Sequence, residues 1–387
     1  MRCLFLQRRD FSYYPLLEQA LRAHGVELLP AFFDREPDMK EVASLFQQWQ
    51  PDFLFSHPTF LPFISYLARV KGVPYIHWEV DKLINPRILA FEYTATDHFF
   101  TTYREDVARL AQVGATAYYL PNAWNIDPAI DRAAGDFQYE VSFVGTAEAG
   151  VNNYYRNLLR DTDAKAVHWP EPVQKAWRQA KQGLEELLSV QFQASQRHHN
   201  RLPELIEAEY RQRQATYQAF QVTPGDLFML LTKETAHRQR CHFLKGVTRL
   251  DAFGPVDWEK LRQELPGMVY HGPVRQFDQS GPVFARSRIN LSLARVYARD
   301  GLSDRIFNVL RAGGLLLADR QPPLLELFRD GEELVTYDSR EEMVDKIRHF
   351  LDHPEEARRI ARAGQARVRA GHGFHNRVGE ILARVFA

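Results

Sequence analysis

Residues 301–320 read GLSDRIFNVLRAGGLLLADR, an amphipathic helical pattern that runs into Gly313–Gly314 and then directly into the apolar run Leu315–Ala318. A helix closed by glycine and followed at once by a short apolar run is one step of a strand–helix–strand alternation. The front of the helix raises a separate question. Asp300, Ser303, Arg305 and Asn308 gather there, either as a ligand cradle at a helix N-terminus or as caps and solvated charges.

The same alternation extends outward in both directions. Apolar runs at 3–6, 26–33, 52–56, 74–80, 98–103 and 116–120 are separated by helical patterns such as 14–24, 39–50 and 104–113. A second series, at 140–145, 250–253, 267–270, 288–293, 315–318 and 334–337, is spaced by helical patterns at 257–264, 282–285, 303–312, 324–328 and 341–352. Strands spaced by helices specify parallel sheets with crossovers. The fold class is therefore α/β: two Rossmann-like, doubly wound domains facing a cleft and joined near 121–139.

Residues 152–245 break the rhythm. They are rich in Gln, Arg, Glu, Tyr and Trp, with helical periodicity at 173–189 and 205–219. This predicts a helical insertion in the second half, with polar faces too extensive for core. Its aromatic residues Trp169, Trp177, Tyr210, Tyr217 and Phe220 could pack back on the second domain, form a homodimer surface or wall an acceptor groove. The resulting division is 1–135, then 136–372 including the insertion, and a C-terminal helix at 373–387 that packs back on the first domain.

A chain of 387 residues suits two domains of roughly 150 to 200 residues. Its 45% hydrophobic and 25% charged residues are those of a soluble globular protein. Lys+Arg and Asp+Glu both number 49, so no overall field favours nucleic acid or a membrane, and an anionic ligand must be held by a local cluster. Cys3 and Cys241 are too few for a disulfide framework or zinc site and fit a reducing cytosol. No apolar stretch approaches the roughly 20 residues needed to span a bilayer, and MRCLFLQRRDF reads as a first strand, not a signal peptide.

In open parallel sheets ligands bind beyond the carboxyl ends of the strands. The run 141–144 ends in Gly145–Thr146, with Arg156 on the next helix: a glycine lets phosphate approach backbone N–H groups, and an arginine pairs with its oxygens. The alternative is a tight turn, since FVGT lacks the three-glycine dinucleotide fingerprint. After 288–293, Arg295, Arg299 and Arg305 bring guanidinium groups near a helix start capped by Ser303 or Asp304, an arrangement suited to a diphosphate. In YIHWEVDKLINP, His77, Glu79 and Asp81 alternate to one side of a strand exit and Trp78 to the other. Asp81, then Glu79, are candidate general bases, against the plainer reading of a cap and a core histidine. Asp10, Tyr13 and Tyr14 are similarly placed. DTD at 161–163 reads as a surface loop, and His198–His199 lack ligand spacing, so neither predicts a metal.

Residues 287–340, SRINLSLARVYARDGLSDRIFNVLRAGGLLLADRQPPLLELFRDGEELVTYDSR, resemble the nucleotide-binding half of GT-B glycosyltransferases, specifically the spore-maturation CgeB-type group. VYHGPV (269–274), DHPEEARRIARAG (352–364) and HGFHNRV (372–378) extend the resemblance, and YEVSFVGT and YIHWEVD add upstream likeness. The resemblance implies a cytoplasmic bacterial enzyme with an acceptor domain (1–135) and a nucleotide-sugar domain (136–372). It would move a sugar, hexosyl-like, from a UDP-, GDP- or dTDP-linked donor to a glycan, protein or small molecule without cofactor or dedicated metal. Gly145, Thr146, Arg156, Arg295, Asp300, Ser303, Arg305 and Asn308 would then hold the donor. Relatives in the wider fold carry two glutamates at the positions of Asp300 and Asn308, the second on the donor ribose; Asn308 keeps hydrogen bonding but not charge. Alternatives are a nucleotide-sugar epimerase of the same fold and a non-catalytic binding or assembly protein.

Overall fold

The apolar runs become two parallel sheets. The computed structural model describes residues 1–9, 11, 13–83, 88, 90–130, 137–150, 153–274 and 279–386. β1 (Arg2–Arg8), β2 (Glu27–Phe33), β3 (Phe53–Ser56), β4 (Tyr75–Glu79), β5 (Asp97–Thr101) and β6 (Thr116–Tyr119) form the first, in the order β2-β1-β3-β4-β5-β6. β7 (Tyr139–Val144), β8 (Leu250–Phe253), β9 (Met268–Tyr270), β10 (Ser287–Ser292), β11 (Leu316–Asp319) and β12 (Val335–Tyr337) form the second, in the order β12-β11-β10-β7-β8-β9. β3 (FLFS) and β11 (LLAD) are buried at every residue, as strands covered by helices on both faces must be.

Strand order positions the site. In the first sheet the chain runs from β1 to β2 and returns to the other side of β1 as β3. In the second it runs from β7 through β8 to β9 and returns beside β7 as β10. Each reversal leaves a crevice at the carboxyl ends of two adjacent strands, the usual ligand position in such sheets. The residues that follow these ends, Phe11 and His57 in one sheet and Gly145 and Arg295 in the other, line adjoining cavities.

The helix Phe374–Phe386 crosses to the first sheet. Phe374, Val378, Ile381 and Leu382 share a core with Phe5, Leu17, Leu21 and Trp78, and His24 Nε2 lies 2.9 Å from the His375 carbonyl. The expected boundary at 135–136 and Asp10 lie outside the described residues. Among the described residues, no helix is long and apolar enough to cross a membrane.

The insertion departs from its sequence reading. Its helices Tyr154–Ala166, Glu171–Ser195, Leu202–Gln212, Gln214–Ala219 and Pro224–Leu244 enclose their own apolar core, with Leu184, Leu188, Leu202, Ile206, Leu227 and Leu231 inside. Helix Pro224–Leu244 buries polar residues as well, Glu234, His237, Gln239 and Arg240 among them, so polarity there marks a buried network, not a solvated face. DTD is helical, not a loop. Asp163 accepts from Trp177 Nε1 at 2.9 Å and from Lys181 Nζ at 2.5 Å, joining two helices of the insertion.

Docking of the last helix on the first domain rests on burial. Ile381→Ala deletes a side chain 1% exposed and should cost about 2–5 kcal/mol, read as a lower urea midpoint with unchanged slope. An unchanged midpoint would show that the helix does not contribute to the folded core.

Candidate active site

The second-domain crevice is built on two glycines. A Cβ at Gly145 would stand 2.6 Å from Arg305 Nη2, and one at Gly254 would stand 1.9 Å from the Gly145 carbonyl oxygen. Only glycine lets these loops and the arginine approach so closely. Trp258 Nε1 donates to the Gly145 carbonyl at 2.8 Å and fixes the loop. A cavity of about 220 Å³ remains, bordered by Gly145, Thr146, Pro255, Arg305 and Asn308.

Beside it, three cations contact one carboxylate and a fourth stands nearby. Glu148 receives Arg295 at 2.6 and 2.7 Å, Arg240 at 3.0 Å and Lys233 at 3.3 Å, and accepts from the Thr146 hydroxyl at 2.8 Å. Burial by itself would raise the Glu148 pKa, but Arg240, Arg295, Lys233 and Thr146 together hold it well below the usual carboxylate range. Arg305 is the fourth cation. Its guanidinium lies 5.2 Å from the Phe143 ring centre, with no hydrogen bond or ion pair among the described residues. Burial, then repulsion from Arg240, lowers its pKa to about 10, so it remains charged at neutral pH. This cluster is short of anions.

Across the cleft, a cavity of about 240 Å³ is lined by Tyr13, His57, Asp81 and Tyr103 from the first domain and by Arg295, Ser303, Asp304 and Arg305 from the second. Asp81 follows β4, is exposed, and its carboxylate has no partner among the described residues. It also borders a third cavity, of about 520 Å³, in the first domain. Asp304 and Arg305 border both cavities of the first pair and Asp81 both of the second, so the three lie side by side along a path from one domain to the other.

The residues expected from sequence divide between this path and structural duties. Gly145, Thr146, Arg295, Ser303, Arg305 and Asp81 lie on it, and Asn308 and Glu79 line it while also serving the structure. Ser303 occupies the N-cap of helix Asp304–Arg311, but its hydroxyl makes no cap bond. Glu79 is turned back onto the chain, accepting from the Val80 and Asp81 N–H groups at 3.0 and 3.1 Å; burial, then the Asp81 charge, raises its pKa well above the carboxylate range. Arg156 pairs with Glu234 at 2.7 Å among the insertion helices, in neither interdomain cavity. Arg299 is bound to Asp319.

Asp300 and Asn308 hold the domains together. Asp300 accepts from Lys82 Nζ at 2.9 and 3.0 Å and from the Glu105 N–H at 2.8 Å. Next to it, Gly301 bridges Tyr103 in antiparallel fashion, so close that a Cβ would stand 2.1 Å from the Thr102 carbonyl oxygen. Asn308 exchanges two hydrogen bonds with Asn125, of 2.8 and 2.7 Å, and is 1% exposed. Each amide atom makes one bond to the junction, and the residue also borders the second-domain cavity.

Sequence reasoning missed four residues. His57 follows β3 in FLFSHP, at the first-sheet reversal; its Nδ1 lies 2.8 Å from the Trp78 carbonyl oxygen, and burial lowers its pKa to about 4. A polar residue after an apolar strand was the available signal, but the strand order that gives it meaning is not readable locally. Lys233 and Arg240 come from the insertion, and Glu148 from the turn after β7.

Residues 234–383 match the model of a family described as glycosyl transferase-like. Over essentially its whole length the chain is similar to three solved structures. Anabaena HepE with UDP and glucose is 10% identical over 100% of both chains, at a TM-score of 0.52. Thermosynechococcus elongatus sucrose-phosphate synthase is 9% identical over 100% of this chain and 99% of that one, at 0.56. T4 phage BGT with its UDP-glucose substrate is 10% identical over 98% of this chain and 99% of that one, at 0.51. The fold is GT-B. The two reversal crevices are thus the facing halves of a GT-B cleft. No curated protein matches the sequence.

Acid should destabilise this arrangement. Burial lowers the pKa of His57 to about 4 and of His372 to about 4, and of His77 well below 6.5, so each is neutral when folded and gains a proton on unfolding. Their contribution is complete above pH 6.5 and is lost as pH falls toward 4, at about 1.4 kcal/mol per histidine per pH unit. Urea unfolding at pH 7, 6 and 5 should show this decline, and His57→Gln should flatten it. A level profile would contradict the buried neutral state.

Proposed function

We propose that this protein is a metal-independent glycosyltransferase that moves a hexose from a nucleoside diphosphate sugar, with UDP as the nucleotide, to an acceptor hydroxyl. The observation that carries the reading is Arg305: a half-buried guanidinium with no ion pair among the described residues, lining two adjoining cavities and near three further cations that share Glu148. A nucleoside diphosphate leaving group develops charge on its β-phosphate oxygen, and preorganised cations stabilise it most strongly where water is excluded. UDP is the choice because Anabaena HepE was solved with UDP and T4 BGT with UDP-glucose. The motif likeness to the CgeB-type group agrees with this reading.

In the proposed reaction Asp81 takes the proton from the acceptor hydroxyl as its oxygen bonds to the anomeric carbon. The bond from that carbon to the β-phosphate oxygen breaks, and its electron pair leaves on UDP beside Arg305 and Arg295. His57, with Nδ1 against the Trp78 carbonyl, has Nε2 left as an acceptor toward the same cavity. It would orient the acceptor hydroxyl.

Two substitutions separate the roles. With UDP-glucose as donor and EDTA present, Arg305→Ala should weaken UDP binding and lower turnover at least ~100-fold. Asp81→Asn should lower transfer by about 100-fold or more while UDP binding persists. Turnover is measured by UDP release and binding by calorimetry. Conversion of the donor to its epimer without acceptor would point to an epimerase, and UDP binding without turnover on any acceptor to a binding protein. Loss of all activity with EDTA, restored by magnesium, would contradict metal independence.

A further inference from the structure

The third cavity carries information about the acceptor. It holds about 520 Å³ in the first domain and meets the interdomain cavity at Asp81, within the size range of small-molecule pockets. Its apolar wall is made by the rings of Phe11, Phe60 and Phe91 together with Pro58, Leu83 and Ile88. Phe60 forms edge contacts with Phe91 at 5.4 Å, is tilted against Phe99 at 5.5 Å and stacks on Tyr75 at 5.9 Å between centroids, so it is braced from several sides. Phe11 adds a further face.

The other charged residues of the same lining each have protein partners. Lys82 Nζ is bound to Asp300 and Glu105, at 2.9 and 2.8 Å. Glu79 accepts two backbone N–H groups, and Arg8 lies over the Phe11 ring at 5.1 Å. Asp81 is the carboxylate left facing the space. A sugar or peptide seated here would surrender water from many polar groups and find few partners. A flat apolar body would lose little and gain ring contacts.

We infer that the acceptor is a small aromatic alcohol, its ring against Phe60 and Phe91 and its hydroxyl at Asp81. This rests on the glycosyltransferase reading and names its acceptor class. The transfer is balanced as in that reading: the aromatic hydroxyl loses its proton to Asp81, its oxygen bonds to the anomeric carbon, and UDP departs with the electron pair of the broken bond.

The test uses the full-length protein with UDP-glucose and three probes: 4-methylumbelliferone, methyl glucoside and a serine-containing peptide. The inference expects glucosyl transfer to 4-methylumbelliferone above the other two by about tenfold or more in kcat/KM. It expects Phe60→Ala, or the milder Phe91→Leu, to raise the KM for that probe about tenfold while the UDP Kd stays within about twofold. Preferred transfer to methyl glucoside or the peptide, with UDP still bound, overturns the aromatic acceptor and leaves the transferase reading standing. No UDP binding and no turnover overturn the transferase reading, and the acceptor assignment with it. An unchanged KM in both folded variants also overturns the assignment.

Discussion

Three cations on a single carboxylate, with a fourth nearby, set the terms for the rest of this structure. Glu148 can compensate only part of the charge of Arg240, Arg295, Lys233 and Arg305. Desolvation first, and repulsion from Arg240 second, lower the pKa of Arg305. The fold sustains this cluster through elements that are otherwise costly or unusual. These are two glycines at a loop crossing, a buried glutamate in a turn, and a helical insertion that delivers Lys233 and Arg240. A doubly negative ligand is the complement that such a site lacks.

The insertion therefore completes the cation cluster. Without Lys233 and Arg240, Glu148 would retain only Arg295 as an ionic partner, and the geometry of the turn after β7 would loosen. Meanwhile Lys82–Asp300, the Tyr103–Gly301 bridge and the Asn125–Asn308 pair fix the two crevices against each other. Asp300 and Asn308 belong to this junction, and the cation cluster stands apart from it around Glu148.

Much of this was legible in the sequence, for definite reasons. Buried strands in parallel sheets are continuous apolar runs, so β1, β3, β10 and β11 announced themselves, and Gly313–Gly314 marked the helix end before β11. Arg305 and Asp81 were legible because they follow strand ends. What sequence could not supply was strand order, and with it the significance of His57 at the first reversal. Nor could it show which polar side chains meet. Asn308 and Asp300 looked like ligand residues by position, yet their partners, Asn125 and Lys82, lie about two hundred residues away in the other domain. Glu79 looked like a base by alternation, but its own backbone N–H groups capture it. The helical insertion is legible, but its polar composition does not show that Glu234 is buried beneath the partly exposed Arg156 and Arg238.

The proposed role of Arg305 is to receive a diphosphate. A crystal structure of the protein with UDP, prepared in EDTA, tests it most directly. The account predicts a diphosphate within hydrogen-bonding distance of the Arg305 guanidinium, between the Gly145 loop and the start of helix Asp304–Arg311. A diphosphate bound elsewhere, with Arg305 still unpaired over Phe143, would contradict it.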